Sequence, residues 1–107
     1  PRPQAPSATQ PPPAFRSAPV QSASGLEGVI GARASALTRR FGAARIDLKE
    51  GDVRKLQFLG QGCVLDIYLY PPEPRAEPVA THVEARSRSD GGDTDRAACI
   101  NEVEREQ

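Results

Sequence analysis

The sequence predicts an α+β fold: a short N-terminal helix, a three-stranded antiparallel meander and a C-terminal helix, with the helices on one face of the sheet. Three observations carry this. First, Cys63–Tyr70 alternates, with Cys63, Leu65, Ile67 and Leu69 forming a wholly apolar face and Val64, Asp66, Tyr68 and Tyr70 a mixed one. Second, Val53–Leu59 and Val79–Arg86 are β-prone runs set off from it by Gly- and Pro-rich turns. Third, apolar residues at helical spacing flank the set on both sides.

Taken in order, residues 1–24 are Pro, Ala, Ser and Gln with seven prolines, Pro11-Pro12-Pro13 among them, and almost no large apolar side chain. Such a stretch buries too little to offset its ordering entropy, so a flexible linker or tether is expected. Pro3-x-x-Pro6 matches a minimal PxxP pattern, a common accident in so Pro-rich a segment. The chain begins at Pro rather than Met. The expectation is a processed or truncated start, with a signal peptide or lipid anchor ahead of Pro1 left open.

Residues 25–107 are the expected domain. Ile30, Ala34, Leu37 and Phe41 share one helical face. Gly28 and Gly31 make the start ragged, so the helix proper is placed near 32–41. Arg39 and Arg40 suit its C-terminal dipole, and Gly42 stops it. Ala43–Glu50 alternates only moderately and reads as a short strand or an extended lead-in. Gly51-Asp52 is a turn, and Gly60-Gln61-Gly62 is a tight hairpin loop before Cys63. Pro71, Pro72, Pro74 and Pro78 punctuate the loop that follows.

In the next strand Val79, Thr81, Val83 and Ala85 face one way, and Ala80, His82, Glu84 and Arg86 the other. Residues 87–94 form a loop, and Asp93 or Thr94 caps a closing helix over about 95–105. Arg96, Cys99, Ile100 and Val103 share one side of that helix.

Fourteen basic residues balance fourteen acidic ones in the 107-residue chain. No basic excess points to nucleic acid, and so few aromatics make a base-stacking surface improbable. No run reaches the roughly 20 apolar residues of a membrane span. No P-loop, Rossmann glycine fingerprint, GxSxG or HExxH is present. Neither a catalytic group nor a cofactor is assigned.

Cys63 and Cys99 are too far apart for a CxxC redox motif, and no His or Cys cluster surrounds them to hold zinc. Each lies on an apolar face. The favoured reading is a disulfide stapling the last helix to the sheet, since a domain of this size is marginal without one. Two buried free thiols are the alternative, and a reactive cysteine nucleophile is a third reading, disfavoured because His82 has no evident third group to orient it. His82 is the single histidine. Its ordinary reading is a sheet-face side chain; its functional reading is a pair with Asp66 or Glu84. Asp66, mid-strand among apolar residues, is expected beside His82 or an arginine across the sheet. Tyr68 and Tyr70, with Asp66 and His82, are the candidate partner-binding residues, because Tyr is enriched in interfaces.

The series Ile30-Gly31, Leu37, Phe41-Gly42, Phe58, Gly62-Cys63-Val-Leu-Asp-Ile-Tyr-Leu-Tyr70, His82-Val-Glu-Ala-Arg86 and Cys99 resembles a group of small, mostly uncharacterised alphaproteobacterial envelope proteins over about residues 26–100. Over about 28–70 it is similar, more weakly, to the SmpA/OmlA (BamE-type) outer-membrane lipoproteins, whose Gly-started helix ends in a Leu-Gly-x-Pro turn before a three-stranded sheet. Here the helix stops at Phe41-Gly42-Ala43-Ala44, without the proline. The resemblance implies an exported, periplasm-facing protein, an oxidising compartment that agrees with a Cys63–Cys99 bridge, and no family catalytic residues. The resulting expectation is a non-enzymatic accessory protein that docks on a membrane or envelope protein assembly. A periplasmic small-ligand or inhibitor module, using a pocket between helix and sheet, is the alternative. An enzyme built on His82 with Asp66 or Glu84 is a third reading.

Overall fold

A computed structural model describes residues 19–106. The readings of the Pro-rich start that fall on residues 1–18, including the PxxP match, lie outside them. The elements are α1 (Ala34–Phe41), β1 (Ile46–Glu50), β2 (Val53–Leu59), β3 (Cys63–Tyr70), β4 (Val79–Ser87) and α2 (Arg96–Arg105). The strands form one antiparallel sheet in the order β1-β2-β3-β4.

The expected three-stranded sheet is therefore four-stranded. The run read as a short strand or lead-in is β1, paired with β2 from Ile46↔Gln57 to Glu50↔Val53 across Gly51-Asp52. Gly51 has φ of +60°, as a two-residue hairpin turn requires at its first central position.

One face of the sheet is the core. Leu56 and Phe58 of β2 stand opposite Ile67 and Leu65 of β3, which in turn face Val83 and Ala85 of β4. Leu37 and Phe41 of α1, and Cys99, Ile100 and Val103 of α2, close over them, all buried. The Phe41 and Phe58 rings meet with centroids 5.2 Å apart. Leu26 and Val29, at 2% and 0% exposure, complete this core from the turns before α1. The expected helical face began instead at Ile30, which is only partly buried. Gly28 and Gly31 have φ of +80° and +91°, so the chain coils through successive turns here rather than continuing α1 backward.

On β4 the expected alternation fails at one residue. Tyr68 pairs with His82, yet Leu69 pairs with Ala80, so Thr81 is an extra residue in a β-bulge. The slip turns Ala80 to the core beside Val83 and Ala85, in place of Thr81 and Val79. The N-cap of α2 is Asp95, whose side chain accepts from the Ala98 N–H at 2.8 Å, rather than Asp93 or Thr94.

Cys63 and Cys99 form a disulfide, with Cα atoms 5.9 Å apart. Around it, Glu102 of α2 accepts from the Gly62 N–H, and Arg88 donates to the Gly60 carbonyl at 2.8 Å. Arg40 of α1 and Glu104 of α2 join the two helices in an ion pair at 3.0 Å.

The two sheet edges differ. Along β4, Gly31 N–H donates to Ala80 O, Ala80 N–H to Ala32 O, and Thr94 N–H to Ala85 O. Gln21, inside the stretch read as a tether, donates from its N–H to Thr81 O and accepts the Val83 N–H on its side-chain oxygen. Along β1, no described residue bonds the outer edge. All five β1 residues are exposed.

Candidate functional site: the open face of the sheet

The face of the sheet away from the helices carries every residue singled out for partner binding. Antiparallel pairing brings Tyr68 opposite His82, and their ring centroids lie 5.7 Å apart. The Lys55 ammonium sits 5.5 Å from the Tyr68 ring centroid, a cation–π contact from the neighbouring strand. Tyr70 is one step further along the same face, opposite Val79, and is half-buried.

Asp66 is the polar hub. Its side chain is 1% exposed although no helix covers it. Gln57 Nε2 donates to Oδ1 at 2.9 Å and Arg86 donates to Oδ2 at 2.7 Å; Lys55 Nζ stands 3.9 Å away. The long side chains of its neighbours seal it from water. A buried carboxylate needs such partners, because desolvating it unpaired costs several kcal/mol, on the order of a whole domain's spare stability. Of the two partners anticipated for Asp66, the arginine is the one present. His82 is bonded instead to Glu84, two residues along its own strand, at 3.1 Å. Both members are well exposed, at 43% and 58%.

Both carboxylate oxygens of the hub thus accept from side chains on the neighbouring strands, Oδ1 from β2 and Oδ2 from β4. The His82 and Glu84 side chains stand together on the open face of β4, both reached by solvent. Beside them, a shallow cavity of about 340 Å³ is bordered by Gln21, His82, Glu84, Asp93, Thr94 and Arg96. Among the described residues no group of three or more His, Cys, Asp or Glu is placed to hold a metal ion. No helix among them is long and apolar enough to cross a membrane.

The space between helices and sheet, where a ligand pocket was envisaged, is filled by Leu37, Phe41, Phe58, Leu65 and Ile100, each at most 2% exposed. A further cavity of about 250 Å³ opens at the sheet end, bordered by Lys49, Arg54, Arg75, Val53 and Pro71.

Sequence reasoning missed two parts of this face. Gln57 gave no signal, since a polar residue in an amphipathic strand reads as solvated; it is 4% exposed. Ile46 and Leu48 are the second. At 39% and 48% exposure they extend the open face onto β1, next to Gln57 and Lys55. Their parity was legible, but which face they joined was not.

On the opposite face of β1 and β2, Asp47 accepts from Arg54 in a two-pronged pair at 2.8 and 2.7 Å. The hydrogen bond from Arg54, with its charge and that of Lys49, holds the Asp47 carboxyl below the usual range, against a smaller opposing effect of burial. The same bond raises the Arg54 guanidinium.

No family model, no curated protein and no solved structure matches this chain.

Proposed function

We propose that the chain is a non-enzymatic, periplasm-facing accessory protein that docks on a membrane or envelope assembly through the open face of its sheet. The observation that carries this reading is the uncovered face itself. Tyr68, in tilted contact with the His82 ring, leads through Lys55 to the exposed Ile46 and Leu48, a band mixing aromatic, aliphatic and charged groups. Interface cores are enriched in such aromatics, and their rims are polar. The sealed Asp66 hub holds Lys55, Gln57 and Arg86 in place, so the surface is ordered before a partner arrives, which lowers the entropic cost of binding.

The compartment follows from two supports of unequal weight. The resemblance to small envelope proteins suggests export. The Cys63–Cys99 bridge suits an oxidising compartment such as the periplasm. The fourth strand departs from the three-stranded layout of the BamE-type lipoproteins, so the docking role is drawn from this surface and not from theirs.

The test is affinity capture of the tagged full-length protein from native membranes, set against the Tyr68→Ser and His82→Ser variants. A stoichiometric complex captured by the parent protein and lost with Tyr68→Ser, the variant retaining its disulfide, is expected. A lone protein, or a complex indifferent to both substitutions, would overturn the proposal.

A further inference from the structure

The two edges of the sheet are treated differently, and the sequence of the uncovered one is complementary to itself. β1 reads Ile46-Asp47-Leu48-Lys49-Glu50. The two-residue turn makes Glu50 and Val53 a hydrogen-bonded pair, and bonded and non-bonded pairs alternate from there. The main-chain N–H and C=O of Asp47 and Lys49 therefore point outward, away from β2. We propose that this edge pairs with the same edge of a second copy, antiparallel, with Leu48 facing Leu48 across the two-fold axis. This goes beyond the docking reading and does not depend on it.

Only one register satisfies three requirements together. Centring on Leu48 places Asp47 opposite Lys49 of the second copy, twice by symmetry. Each such pair exchanges two main-chain bonds, roughly four in all, using every outward group of those residues. Each also sets a carboxylate against an ammonium on the same face. Shifting the register by two residues puts Lys49 against Lys49 or Asp47 against Asp47, and like charges directly opposite destabilise a sheet. On the open face, Leu48 covers its twin, and Ile46 faces Glu50. A charged edge strand ordinarily keeps copies apart, Lys above all; here the aspartate two residues away answers the lysine. The result is an eight-stranded sheet in which two open faces become one continuous surface.

The chain's own Pro-rich start is a poor rival for this edge. Strand addition uses N–H donors on alternate residues, and seven of the first 24 residues are prolines that lack one. Paired five-residue strands bury less than the roughly 1,000 Å² of stable interfaces, so the dimer is weak, with a dissociation constant on the order of 100 µM.

Sedimentation of the purified full chain from about 10 µM to about 1 mM should show a monomer–dimer equilibrium. Lys49→Pro removes an outward donor that β2 does not use, at an edge position where proline is tolerated; it should weaken dimerisation at least about tenfold while circular dichroism stays unchanged. Both native cysteines are in the disulfide, so an added thiol is the sole free one. Leu48→Cys places two sulfurs on Cα atoms about 4.5 Å apart, within disulfide range. It should oxidise to a covalent dimer. Ile46→Cys, whose copies lie on the order of 13 Å apart in this register, should not. A monomer at every concentration, a dimer insensitive to Lys49→Pro, or cross-linking at Ile46 in preference to Leu48 would overturn the proposal.

Discussion

Thr81 sits where the strand slips by one, and its hydroxyl is buried without a hydrogen-bond partner among the described residues. A hydroxyl so placed costs about 1–3 kcal/mol, so Thr81→Val, which keeps the branched shape, should raise stability by about 1 kcal/mol in urea unfolding. A loss instead would mean the hydroxyl is satisfied. At Asp47 the sign of the pH effect follows from the lowered carboxyl. A depressed folded value contributes stability above the unfolded value, near 3.8, and loses it as pH falls through the folded one. Asp47→Asn should therefore cost about 0.2–1 kcal/mol at neutral pH, the range of exposed pairs. That difference should shrink as the pH drops below 3.8. A gap constant with pH would contradict the pairing with Arg54. Neither residue announced its role in the sequence. Period-two alternation has no term for an inserted residue, and a strand carboxylate names no partner until register is known.

Among elements, β3 was the most legible and β1 the least, for one physical reason. The alternation of β3 is enforced by burial on the core face, where a polar residue would be costly. β1 lies beyond the helices, has nothing buried on either side, and offers only Ile46 and Leu48 as a weak signal. The turns before α1 were hidden for a different reason: glycines broke the helical period, although Leu26 and Val29 belong to the core. One glycine at the head of these turns serves close packing. A Cβ at Gly25, where φ is +88°, would collide with the Cβ of Ala97 on α2. Gly25→Ala should cost about 2 kcal/mol through backbone strain and overlap together. Adding Ala97→Gly should recover part of that loss, even though glycine costs a helix about 1 kcal/mol against alanine. Additive losses in the double-mutant cycle would show that the two residues do not touch.

For the whole molecule, one helix-covered face and one open face are held in relation by the staple between Cys63 and Cys99, 36 residues apart. Replacing both cysteines by alanine should lower the free energy of unfolding by about 3–4 kcal/mol, much of what a domain this small commands. A loss below about 1 kcal/mol would mean the helix–sheet core holds without it. The staple was legible because both cysteines fell on apolar faces. The face proposed for docking is legible in the sequence only in part: Tyr68 and His82 stand out there, whereas the continuation through Lys55 to Ile46 and Leu48 requires the fourth strand. On the proposed reading the open face meets a partner and the helical face does not. A photo-reactive amino acid placed at Tyr68, and separately at the exposed Ser35 of α1, tests this in intact cells. A discrete protein adduct from position 68 and none from position 35 is the expected result. No adduct at 68, or the same adduct from both, would contradict it.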